Sequence, residues 1–277
     1  MANMHQQSSR RPITVDNLRF AVYTFVAVLL AHAMAYLAHE YAHAVTAWAL
    51  GWMAGPFDID YGPATLYNFL FLNGVSDNVA YEPIYASGHG AQAAVIALAG
   101  AFIGNGVLYF ISYWLAKTQL FQSSRWSLTF IYWFSLMSAA NVWSYVPIRA
   151  ITTHADIAIA AKGLNISTWT LLPFVLVPSL YITLHFFCRM FPAVCRQIAA
   201  GSANNLVLLI AVTGYWYFSF FGSDGLFGDY GLIPQILSII SRYFLLPLSV
   251  MYLWSRHSDA AEAFAYAKES PHADRNS

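Results

Sequence analysis

This chain carries very little charge. Aspartate, glutamate, lysine and arginine together make up 9% of its 277 residues, against about 25% in a typical soluble domain. An ordinary water-soluble globule is excluded, because 58% of the residues are hydrophobic and too little polar surface remains to cover them. No sign of charge dominates: 13 basic residues face 13 acidic ones, which argues against nucleic acid as a partner. Cysteine is nearly absent. Cys188 and Cys195 match no metal or redox spacing, so no disulfide scaffold is expected. A signal-peptide cleavage pattern is missing too, since the first apolar run continues too far.

Long apolar runs are what the chain has in quantity. Six segments reach or approach the roughly 20 residues that a bilayer-spanning helix needs: 18–50, 91–115, 126–145, 169–187, 206–221 and 232–254. The expected fold is all-α, a polytopic membrane protein with about six transmembrane helices, and the lipid bilayer is its surroundings. Trp52, Trp114, Trp126, Tyr145, Trp169 and Trp254 stand near segment ends, as amphipathic rings do at membrane interfaces. The organisation expected is a polar N-terminal tail (1–17), a catalytic membrane core (18–158) with a loop at 53–90, accessory transmembrane helices (159–255) and a polar C-terminal tail (256–277). Counting Lys and Arg puts both termini in the cytoplasm, because the opposite loops then keep only Arg149 and Lys162.

Near the end of the first run stands His39-Glu40-Tyr41-Ala42-His43. An HExxH run on a helix sets two imidazoles one turn apart on one face, where they can share a zinc ion. The glutamate between them can act as general base on a water. In a bilayer such ionisable groups are costly and mark function. His32 lies on the same helical stripe, as an interior histidine or a substrate contact. A catalytic zinc takes three protein ligands. The third segment returns the chain to the end where the histidine pair sits, so the third ligand is expected to be Asp156 or His154.

Several motifs resemble those of the site-2 proteases, the zinc metalloproteases that cleave peptide bonds within or beside the membrane. The stretch Ala38–Ala44 resembles their HExxH helix. Leu98-Ala99-Gly100-Ala101-Phe102-Ile103-Gly104-Asn105 resembles their small-residue segment ending in asparagine. Asn141, Pro147 and Asp156 resemble their third signature. The resemblance covers about residues 26–158 and departs from the family at Ala101, where proline is usual, and at Ile157, where glycine is usual. It implies a site-2-protease-like core in the first three transmembrane helices, with one zinc held by His39, His43 and Asp156. It also implies Glu40 as general base, Asn141 and Asn105 as substrate- or ligand-positioning residues, and a membrane protein or peptide as substrate. His154 remains the alternative ligand, and His89 could line the site.

The loop contains two strand-like pieces, 57–61 and 67–72, whose exposed edge could pair with an unwound substrate. Arg242 sits oddly near the middle of the last segment, either paired or snorkelling to the interface. Pro173, Pro178 and Pro247 suggest irregular helices. Of the competing readings, a diiron oxygenase needs more histidines facing one cavity than the chain supplies. A non-proteolytic membrane metal-binding or transport protein of protease-like fold is the main alternative.

Overall fold

The structure, a computed structural model, describes residues 13–269, with side chains through Ser258; the first twelve and last eight residues of the expected polar tails lie outside it. The described chain is helical, and its single β-type pairing is an isolated antiparallel bridge between Asp60 and Ser76. Helix α1, Val15–Ala49, is 35 residues long, or about 52 Å. A reciprocal cap starts it: Thr14 Oγ1 accepts from the Asn17 N–H at 3.2 Å, and Asn17 Oδ1 accepts from the Thr14 N–H at 2.9 Å. The loop that follows holds two short helices, α2 (Leu66–Phe71) and α3 (Tyr81–Ala86). Then come α4 (Gly90–Leu115), the short α5 (Gln119–Gln122), α6 (Arg125–Trp143) with a π-type turn over Ser144–Ile148, and α7 (Asp156–Gly163). Three long helices complete the bundle: α8 (Thr168–Ala199), α9 (Ala203–Leu226) and α10 (Leu232–Ser258). The last continues in helical form to Glu269, into the region expected as a polar tail.

Among the described residues five helices, α1, α4, α8, α9 and α10, are long and apolar enough to cross a membrane. The expected sixth, 126–145, forms as α6 but has a different character. It runs through the centre of the bundle, and Thr129, Ser135, Ser138 and Asn141 are buried along it beside Trp133 and Leu136. A helix covered by other helices need not be apolar all round, because its polar groups meet protein rather than lipid. By contrast, Phe174, Val177, Leu184, Tyr243, Leu248 and Met251 of α8 and α10 point outward, which suits a lipid-facing surface.

The strand expectation for 67–72 is overturned. Thr65 caps α2 by accepting from the Asn68 N–H, and Leu72 ends it in a left-handed conformation (φ 55°). Asn68 also donates to the Tyr61 and Pro63 carbonyls and accepts from the Gly74 N–H, which closes a compact turn no strand could make. This part of the loop packs on α1 through Ile59, Val75 and Leu72 against Tyr36, Leu37 and Tyr41. Its other half packs Ile84 and Tyr85 beside Ala93 and Ile96 of α4. Helix α7 meets α4 at glycines: a Cβ on Gly90 would collide with the Gly163 carbonyl. That close approach, with Tyr85 Oη donating to the Ile159 carbonyl at 3.0 Å, fixes the helix that begins at Asp156.

Candidate metal centre

Two histidines four residues apart on a helix share a face but not automatically an orientation; each ring must be held. The His43 Nδ1–H donates to the Ile96 carbonyl of α4 at 2.7 Å. A carbonyl only accepts, so the neutral ring keeps its lone pair on Nε2. For His39 the partner is Asn105. The amide Nδ2 donates to the Ala35 carbonyl at 2.9 Å, which turns Oδ1 toward His39 Nδ1 at 2.8 Å. His39 therefore also donates through Nδ1, leaving Nε2 free. Both rings are almost wholly buried.

The freed nitrogens converge. His39 Nε2 and His43 Nε2 lie 3.1 Å apart, and Asp156 Oδ2 lies 3.1 Å from the first and 3.6 Å from the second. Three lone-pair-bearing atoms facing one point repel unless a cation or a proton lies among them, and this group has the donors to hold one metal ion. The backbone aims Asp156 at some cost. Ala155 just before it has φ 77° and ψ 172°, a conformation that costs a non-glycine residue ~1–3 kcal/mol.

Space for an ion comes from α4. A Cβ built on Gly100 would collide with His43 Nε2 and stand 2.6 Å from His39 Nε2, so only glycine leaves this point open. At Gly104 a Cβ would stand 2.9 Å from the His39 Cα, which keeps the two helices close. Glu40 is 6% exposed, and no described side chain hydrogen-bonds or ion-pairs with its carboxylate.

Of the residues expected at the site, His39, His43, Asp156 and Asn105 are brought together and Glu40 lies on the same turn. His154 is elsewhere: its ring stacks on Tyr230 with centroids 4.7 Å apart. His89 stands against Trp52. His32 keeps to the wall of a neighbouring cavity, where its Nε2–H donates to the Phe71 carbonyl at 3.1 Å. Asn141 lines that same cavity. Tyr145, expected as an interfacial ring, instead stacks on His39 at 3.8 Å between centroids, with the Arg149 guanidinium 4.0 Å from its ring. Its position four residues beyond Asn141, on the same helical face, is the signal that could have found it. Comparison with protein-family models, curated proteins and solved structures finds no match.

Losing the Asn105 contact frees the His39 ring to choose the other tautomer. Asn105→Ala is expected to weaken metal affinity by about 10–100-fold, the usual cost of removing a group that orients a ligand. Competition with a chelating dye on the purified protein measures it.

Proposed function

We propose that the chain is a membrane-embedded zinc metalloprotease with a site-2-protease-like core formed by α1, α4, α6 and α7. The convergence of His39 Nε2, His43 Nε2 and Asp156 Oδ2, with Glu40 beside them, carries this reading. Donor atoms around a tetrahedral zinc with bonds near 2.0–2.1 Å stand about 3.3 Å apart, and the observed separations of 3.1, 3.1 and 3.6 Å bracket that value. Two imidazoles and one carboxylate form a donor set suited to zinc and leave a position for water or substrate.

A zinc ion in this site would polarise the scissile carbonyl and lower the pKa of water toward ~7. Glu40 is the nearest free base. It takes a proton from the attacking water as the oxygen adds to the peptide carbonyl carbon. It then returns that proton to the amide nitrogen as the C–N bond breaks. The fixed rings of His39 and His43 need not move during this cycle, because Asn105 and the Ile96 carbonyl hold their far sides.

The test is metal content together with cleavage. Protein purified in detergent is expected to hold one zinc per chain and to cut a synthetic apolar peptide. A chelator should stop the cleavage and added zinc restore it. Asp156→Ala should lose the metal and His154→Ala should keep it. Zinc retained in Asp156→Ala and lost in His154→Ala would reassign the third ligand; a native chain without zinc affinity would end the proposal.

A further inference from the structure

A cavity of about 610 Å³ lies next to the metal centre, a size suited to a small ligand or a short peptide segment. Tyr145 is the wall between them, lining the cavity while its ring stacks on His39. Three residues of its lining each keep one buried polar side-chain atom without a hydrogen-bond partner: Asn141 Nδ2, His32 Nδ1 and Ser223 Oγ. Asn141 is 1% exposed and His32 is 2% exposed. Unpaired buried polar atoms are costly, and three around one cavity describe the polarity of what belongs there. Asn141 offers N–H donors. His32, whose Nε2–H is spent on Phe71, offers an acceptor at Nδ1.

The charges are arranged as unevenly. Arg149 is fully occupied: it donates to Tyr230 Oη and Ser144 Oγ, each at 3.1 Å, and faces Asp224 at 3.9 Å, whose carboxylate also accepts from Ser144. That pair is neutral overall. Arg242 also lines the cavity, and among the described residues no carboxylate lies within ion-pairing distance of it. It stands ten residues into α10, roughly 15 Å from the helix start, on a helix long and apolar enough to cross a membrane. A guanidinium on such a helix calls for a polar cavity and an anion.

We propose that this cavity binds the substrate beside its scissile bond and selects an extended peptide segment that bears a carboxylate. Arg242 takes the carboxylate, Asn141 donates to a backbone carbonyl and His32 Nδ1 accepts from a backbone N–H. An unwound peptide supplies all three complements; a helical one, with its backbone groups already bonded, supplies only the carboxylate. The inference rests on the hydrolytic reading of the metal centre and names its substrate class.

The experiment measures binding apart from turnover. Zinc-loaded Glu40→Gln protein in detergent is titrated with a fluorescent apolar peptide carrying one Asp, its Asn twin, and a pair ending in a free or an amidated C-terminus. At least tenfold tighter binding of the Asp peptide than its twin is expected, and a ratio near one in Arg242→Gln. Arg242→Lys, which keeps the charge, should retain part of the preference and shows that the fold tolerates change here. A preference confined to the free C-terminus would assign the carboxylate to the chain end rather than to a side chain, and still support the pocket. Equal binding of every twin, a preference that survives Arg242→Gln, or a response only to anionic lipid vesicles would overturn it. Cleavage by the native protein separates the two readings. Twins cut with equal kcat/KM keep the protease and remove the pocket; Arg242-dependent preference without cleavage keeps the pocket and removes the protease.

Discussion

Glu40→Gln will abolish peptide hydrolysis while leaving the zinc content and the fold unchanged. The substitution keeps volume and shape, and Glu40 is outside the group that can hold the metal. What disappears is the only proton acceptor on the HExxH turn that is not already committed to a ligand role. General-base assistance is worth about 10²–10⁴-fold, and in the proposed reaction the same carboxyl also delivers the proton to the leaving amine, so the upper end of that range is expected. Stability should move the other way. Glu40 is buried with no described hydrogen-bond or ion-pair partner, and a neutral amide costs less to bury than a carboxylate. The variant should therefore melt no lower than the native chain, the pattern of a group kept for function at the expense of stability. Metal analysis, a melting curve and a single-turnover cleavage assay on the same preparation check all three parts. A rate within tenfold of native would take Glu40 out of the base role.

What could be read in advance depended on the distance over which the signal acts. His39 and His43 are legible because four residues is one helical turn, and helix geometry alone puts their rings together. Asp156 lies 113 residues beyond His43, so local geometry says nothing of it. The number of helical passes between them puts it at the same end of the bundle, and that argument leaves His154 equally placed. Only the backbone turn at Ala155 and the packing of α7 on α4 separate the two, and both are tertiary. Asn105 could be marked as a positioning residue, but its bond to His39 depends on how closely α1 and α4 approach.

Other features were illegible for identifiable reasons. Aromatic residues at every second position, Tyr67, Phe69 and Phe71, look like a strand, yet the Thr65 cap and the Asn68 side chain supply local bonds that outweigh propensity. Helix α6 is long enough to look like a span, but it is less apolar than the five others, and its Thr129, Ser135, Ser138 and Asn141 mark it as a helix covered by other helices. The unpaired Arg242 shows up as an oddity in the sequence. It lines a cavity together with Asn141 and His32, built by helices from opposite ends of the chain, which the sequence alone does not show.

Gly100→Ala offers the sharpest test of how the metal centre is built. On helix propensity alone, alanine in place of a helical glycine should stabilise the protein by roughly 0.5–1 kcal/mol. The surroundings reverse that expectation. The new methyl would collide with His43 Nε2 and stand 2.6 Å from His39 Nε2, inside the space that the three ligands enclose. Neither ring can retreat. His43 is tied to the Ile96 carbonyl, His39 to Asn105, and the His39 face is backed by Tyr145 at 3.8 Å. The variant is therefore expected to fold while holding less than a tenth of the native zinc, with cleavage falling in proportion. Gly106→Ala is the matched control: it lies one and a half turns along the same helix, and its nearest neighbours, the Ala101 carbonyl and the Ile182 side chain, are both 3.5 Å from the added carbon. It should keep zinc and activity. Full zinc occupancy in Gly100→Ala would mean that the ion, if one binds, does so away from the point where His39, His43 and Asp156 meet.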